Sequence, residues 1–265
     1  REEMRRHSGG FDFLPMVMKE DSQWTDDDPW ERLQPQAAQW ALSHAIYPGL
    51  LFEANDPVVK GHVALMRAAT REDIPAETGW IPHEGVWTYN AAFVAHVYLW
   101  AGMPELARRT FAGFLNHASP LYCWREEQPL RGSLVSKYVG DMPHNWASAM
   151  CILYLRHMLA LEVGDELRLL AGIGEPELAA REPWSLEETP TRFGRLRLIL
   201  EPDGKRNWRL NFGRGNGPAP ERLTVPAHLG QFTFASTDGA DARSNGDAVE
   251  IATGSKQWTA RWEIK

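Results

Sequence analysis

Apolar positions follow a helical period up to about residue 161 and alternate one by one after Pro183. Three segments, Gln36–Ile46 (QAAQWALSHAI), Val86–Trp100 (VWTYNAAFVAHVYLW) and Trp146–Leu161 (WASAMCILYLRHMLAL), are apolar nearly all round, which predicts helices buried on every side. The segments between them differ. Pro57–Ala69 and Pro104–Asn116 keep a polar face, with Leu106, Phe111, Phe114 and Leu115 on one side and Arg108 and Arg109 on another, as in a helix exposed on one side. Pro48-Gly49 and Gly102 end the first two buried helices, while Pro57 and Pro104 sit where a first helical turn accepts proline. The repeating unit read from this pattern is a helical hairpin. Buried helices start near Gln36, Val86 and Trp146, steps of 50 and 60 residues, which predicts a ring or stack of large hairpins with long loops gathered at one end.

Beyond Pro183, Leu196, Leu198 and Leu200 alternate with Arg195, Arg197 and Ile199. A Pro202-Asp203-Gly204 turn follows, and then Trp208, Leu210 and Phe212 alternate with Arg209 and Asn211. That is a β-hairpin. Further strands are predicted at Arg222–Val225, Gln231–Ala235, Ala248–Ala252 and Trp258–Ile264, giving a small antiparallel sandwich with no paired carboxylates beside aromatics. The fold class expected is α+β multidomain: a helical-hairpin domain over 1–183, then a β-sandwich accessory domain over 184–265.

Charge separates the same two regions. Residues 1–183 carry 16 basic against 25 acidic residues and eight of the twelve tryptophans, whereas 184–265 carry 12 basic against 10 acidic. An acidic, Trp-rich half lacks the basic stripe a nucleic-acid site needs, so nucleic acid is not an expected partner. No run of about 18 uncharged apolar residues crosses a membrane, and REEMRRHSGG lacks the apolar stretch of a signal peptide. Compartment stays open, since Cys123 and Cys151 make no disulfide framework. A start at Arg1 reads as a cut from a longer chain.

Candidate chemistry lies in the loops that lead into the buried helices. In CWREEQ, Glu126 and Glu127 are adjacent beside Trp124 and Arg125; like charges held close raise one carboxyl pKa and an arginine lowers it, which is a way to make a general base. The two glutamates also fit solvated loop charges paired with Arg125 or Arg131. In GDMPHNW, Asp141 suits a helix cap or a catalytic carboxylate, and His144, Asn145 and Trp146 stand at the mouth of the helix, where donors can meet a sugar hydroxyl. In GWIPHEGVW, Trp80, His83, Glu84 and Trp87 precede the second buried helix; Glu84 suits either a dipole-complementing acid or a second catalytic carboxylate. DDDPW (Asp26–Trp30), with Trp24, is a weaker acidic-aromatic stretch. No metal-ligand spacing, nucleotide motif or nucleophile elbow appears, and no cofactor is expected. Indole rings stack on the apolar faces of pyranosides while carboxylates bind hydroxyls or move protons, so the constellation points to a carbohydrate as ligand.

The order VWTYNAAFVAHVYLWAG, CWREEQ, GDMPHNWASAMCILYLRHMLALE and a β-rich tail resembles the C-terminal half of the six-hairpin glycosidases, the (α/α)6 toroid hydrolases that include α-L-rhamnosidase-like enzymes. The resemblance implies a partial toroid, inverting hydrolysis with Glu126 or Glu127 activating water, and Glu84 or Asp141 assisting. It also implies a cleft lined by Trp80, Trp87, Trp124 and Trp146, with Arg125, His83, His144 and Asn145 binding substrate. The rival expectation is a non-catalytic carbohydrate-binding or assembly module. Three hairpins leave apolar flanks uncovered, which predicts self-association or dependence on a missing N-terminal toroid half.

Overall fold

The structure is a computed structural model that describes residues 6–8, 11–14, 36–37, 39–78, 85–132 and 140–264. Contacts divide the chain into two units, Arg1–Tyr154 and Leu155–Lys265.

In the first unit, β1 (Arg6–Ser8) pairs with β2 (Phe11–Phe13), and two helices follow, α1 (Trp40–Ile46) and α2 (Pro57–Ala68). Helix α2 starts where sequence chemistry says it should: Asp56 accepts the Val58 N–H at 2.8 Å and Pro57 opens the first turn. A tight hairpin, β3 (Thr70–Arg71) with β4 (Ile74–Pro75), turns through Glu72 and Asp73, both left-handed, as a two-residue hairpin loop requires. Strand β5 (Gly85–Trp87) then leads directly into α3 (Thr88–Trp100), and α4 (Pro104–Asn116) packs back against it. All thirteen residues of α3 are buried. Gly113 of α4 has no room for a side chain, because a Cβ there would meet Ile74 and Asp73 within about 3 Å; its absence lets the helix lie against the β3–β4 turn. Strand β6 (Glu127–Pro129) pairs with β5, and α5 (Asn145–Leu159) begins beyond it.

The second unit is β-rich. Strands β7 (Ala160–Val163) and β8 (Glu166–Leu169) form a hairpin, and a short helix α6 (Glu175–Ala179) follows, its Glu177 carboxylate accepting the Gly174 N–H at 2.9 Å. The remaining strands are β9 (Trp184–Thr191), β10 (Gly194–Asp203), β11 (Asn207–Arg214), β12 (Arg222–Pro226), β13 (His228–Leu229), β14 (Phe232–Asp238), β15 (Ala242–Asn245), β16 (Ala248–Ile251) and β17 (Gln257–Ile264). They build a six-stranded antiparallel sheet, β13-β14-β17-β11-β10-β9, and a five-stranded sheet, β15-β16-β12-β8-β7. Alternation sets which face is buried: Leu196, Leu198, Leu200, Trp208, Leu210, Trp258 and Trp262 turn inward from the larger sheet, and Leu167, Leu169, Leu223, Val225, Val249 and Ile251 from the smaller. The Trp262 indole donates to the Pro226 carbonyl at 2.9 Å and ties one sheet to the other.

A toroid of helical hairpins, the fold implied by the apolar spacing and the resemblance, is not evident. Among the described residues six helices stand against seventeen strands in five sheets, and α1 and α6 have only seven and five residues. Helix α5 shows the physical reason most clearly. An inner toroid helix is covered all round, yet α5 leaves Ile152 70%, Trp146 43% and Leu155 41% exposed. An all-apolar surface states a preference for burial without supplying what covers it. The purely antiparallel sandwich also needs correction: β8 joins β12 in parallel, with Leu223 opposite Leu167, so the smaller sheet is mixed and uses strands from before Pro183.

Candidate functional site

Backbone hydrogen bonds in the first unit sew three sequence-distant segments together. At the start of α3 the Thr88 N–H donates to the Glu126 carbonyl (3.1 Å) and the Thr88 hydroxyl to the Arg125 carbonyl (2.6 Å), while Trp87 lies opposite Glu127 in the β5–β6 pairing. The Glu126 N–H then donates to the Asp141 carbonyl (3.1 Å), and the His144 N–H to the Trp124 carbonyl (2.7 Å). The WREE and GDMPH segments therefore run side by side across the N-terminus of α3. Gly140 is required there: its φ of +89° is left-handed, and a Cβ would collide with the Glu126 carboxylate.

This arrangement gathers Glu126, Asp141 and His144, whose donor atoms all lie within 4.8 Å of one another. Among the described residues they form the one such group that could hold a metal ion. Asp141 accepts from, or shares a proton with, His144 Nδ1 at 2.7 Å, and that hydrogen bond holds its carboxyl below the usual carboxylate range. Asp141 is well exposed and His144 mostly covered, at 69% and 12% side-chain exposure.

Beside the acids lies an aromatic cluster. Trp146 stacks on Tyr89, ring centres 4.9 Å apart and planes 8° from parallel, and meets Trp40, His44 and Phe93 at 6.4, 6.2 and 5.5 Å. Tyr89 is 3% exposed, whereas Trp146 keeps 43% of its surface open, so the stack has a buried base and an accessible cap. Burial, and then the Glu126 and Glu127 charges, push the Tyr89 hydroxyl pKa up, which keeps it a protonated donor. Burial pushes the half-buried His44 imidazole down.

The expected site residues separate. Glu126, Asp141, His144 and Trp146 come together, with Asn145 exposed beside them and Arg125 partly buried. Glu127 is 2% exposed within β6. Trp87 and Trp124 are core residues at 2% and 3%; Trp124 stacks on Phe114 at 4.6 Å and donates to the Phe114 carbonyl. Trp80, His83, Glu84 and DDDPW lie outside the described residues. Tyr89, Trp40 and His44 belong to the cluster although no motif marks them. Their one signal is i, i+4 spacing, Trp40 with His44 and Tyr89 with Phe93, which reads equally as core packing.

The resemblance to six-hairpin glycosidases finds no support beyond the sequence motifs: no protein-family model matches the chain, and no curated protein does at a significant level.

Proposed function

We propose that the first unit acts on a carbohydrate. A pyranoside ring stacks on the open face of Trp146, Asp141, His144 and Asn145 take its hydroxyls, and Glu126 moves the proton that hydrolysis of a glycosidic bond requires. The observation that carries this reading is the half-exposed Trp146, backed by buried Tyr89 and bordered by the Glu126–Asp141–His144 group. Stacking needs a rigid ring with one face free, and hydroxyl recognition needs ionised or hydrogen-bonding groups at its edge. Of the two adjacent glutamates, Glu126 is the accessible one and Glu127 is enclosed in the sheet.

A second reading, binding without turnover, is favoured by the carboxylate spacing. Inverting hydrolysis places a water between carboxyl groups roughly 6.5–9.5 Å apart. The donor oxygens of Glu126 and Asp141 lie within 4.8 Å, too near for that water, so this pair does not suit the inverting acid and base. Incubation with a panel of aryl glycosides and oligosaccharides separates the readings. Turnover that disappears in Glu126→Gln, with the circular dichroism spectrum retained, supports hydrolysis. Binding in both proteins with no turnover supports the second reading, and absence of binding and turnover across the panel removes both.

A further inference from the structure

The aromatic cluster of the first unit holds a polar group that no contact within the chain uses. His44 sits in the last turn of α1, and the chain beyond fastens that turn. The Gly49 N–H donates to the His44 carbonyl at 2.9 Å, and a Cβ on Gly49 would lie 2.8 Å from the carbonyl oxygens of His44 and Ala45. The imidazole so placed lies against Phe93 with ring centres 3.9 Å apart, and stands 6.5 Å from Trp40 and 6.2 Å from Trp146. Trp146 is the ring whose second face is open, since Tyr89 backs only the first. His44 therefore borders the stacking platform from α1, a part of the chain separate from the segments that carry Glu126, Asp141 and His144.

The histidines of α1, α2 and α3 divide by how their nitrogens are used. His62 Nε2 lies 2.9 Å from the Ser43 hydroxyl and His96 Nδ1 lies 2.8 Å from the Ala92 carbonyl, and both rings are closed to solvent. His44 is only partly buried. Neither of its ring nitrogens makes a hydrogen bond among the described residues, and neither is sealed in as a buried polar atom. A residue kept at this position merely to fill space between Phe93, Trp40 and Trp146 would serve better as phenylalanine, which brings no polar edge into an apolar setting.

Burial pushes the His44 imidazole below its ordinary value, so at neutral pH it is uncharged. An uncharged imidazole offers one N–H donor and one acceptor lone pair, and a sugar hydroxyl both accepts and donates, so the two match in either sense. The ionised carboxylates of Glu126 and Asp141 can only accept. A pyranoside lying on the indole carries its hydroxyls outward past the rim of that ring, toward the side chains that border it. We propose that His44 hydrogen-bonds a hydroxyl of the pyranoside stacked on Trp146, and that the site thereby selects sugars bearing that hydroxyl over their deoxy counterparts. This rests on the carbohydrate reading of the first unit and adds to it the residue that reads the sugar. A site that hydrogen-bonds a ligand hydroxyl rejects the analogue lacking it, because the protein group is left without a partner.

The test is an NMR titration of the full chain with the methyl glycosides of glucose, galactose, mannose and xylose, and with every monodeoxy derivative of the one that binds tightest. In the wild-type chain one derivative should bind about fivefold or more weakly than its parent, the worth of a hydrogen bond between neutral groups. His44→Phe keeps the ring packing and removes the polar edge. It should bind the parent about fivefold more weakly and bind that one derivative as well as the parent, so the penalty for the missing hydroxyl disappears. Should His44→Phe not fold by circular dichroism, His44→Leu gives the same readout. A penalty that persists in the folded variant, or parent affinity unchanged by it, overturns the proposal. If Trp146→Ala abolishes binding in that case, the carbohydrate reading stands without His44. Absence of binding by every glycoside to the wild-type chain removes the reading and this proposal together.

Discussion

Acidification to pH 5 should destabilise the first unit through two buried histidines. His62 of α2 is 0% exposed with Nε2 2.9 Å from the Ser43 hydroxyl, and burial pushes its imidazole pKa down to about 4. His96 of α3 is 2% exposed, and burial takes it to about 4 as well, against the opposing hydrogen bond to the Ala92 carbonyl. Above the ordinary value of 6.5 both folded and unfolded chains hold these rings neutral. Between 6.5 and about 4 only the unfolded chain takes up the protons, so stability falls as pH drops through that window. Each pKa unit is worth about 1.4 kcal/mol, which makes the loss at pH 5 about 2 kcal/mol per histidine. Two such losses are large against a typical stability of roughly 5–15 kcal/mol. Urea unfolding at pH 7.5 and pH 5.0, followed by hydrogen exchange at α2 and α3 amides, reads the first unit separately from the second. Protection should drop at pH 5.0, and the drop should shrink in His62→Gln/His96→Gln. Equal protection at both pH values, or an undiminished drop in the double variant, would refute the argument.

Three substitutions probe the framework. Asp56→Ala removes the cap of α2 and should cost about 1 kcal/mol by urea denaturation, with little change expected in the second unit. Gly140→Ala forces a side chain into a left-handed position against Glu126; it should cost about 1–3 kcal/mol and weaken any glycan binding by the first unit, as measured by calorimetry. Leu198→Ala opens a cavity in the larger sheet at a fully buried position, and a loss of about 2–5 kcal/mol should appear in the thermal transition of the second unit.

Much of the local structure was legible because local rules governed it. VWTYNAAFVAHVYLW has no polar face, and α3 is buried throughout; Leu196, Leu198 and Leu200 alternate across Pro202-Asp203-Gly204 with Trp208, Leu210 and Phe212, and β10 pairs with β11. The assembly was not legible. Trp146–Leu161 has the same all-apolar character as α3 but leaves Ile152 and Leu155 open, because neighbours rather than composition decide coverage. ALEVGDELRL continues the apolar run of α5, so the switch to period two at Ala160, with Leu161, Leu167 and Leu169 buried, was hidden by the helix before it. At the site, the aromatic-acid reading brought Glu126, Asp141, His144 and Trp146 into view. It could not distinguish them from Trp87 and Trp124, since an indole beside a carboxylate looks the same whether it caps a stack or fills a core.

The central claim, that a sugar ring sits on Trp146 beside the Glu126–Asp141–His144 group, is tested most directly by calorimetry. The tightest-binding glycan from a screen of the wild-type chain is titrated into Trp146→Ala and, as a control, Ile152→Ala on the same helix. Loss of the stacking face should weaken binding tenfold or more, about 1.4 kcal/mol, in the first variant and leave the second unchanged. Unaltered affinity in folded Trp146→Ala would contradict the account.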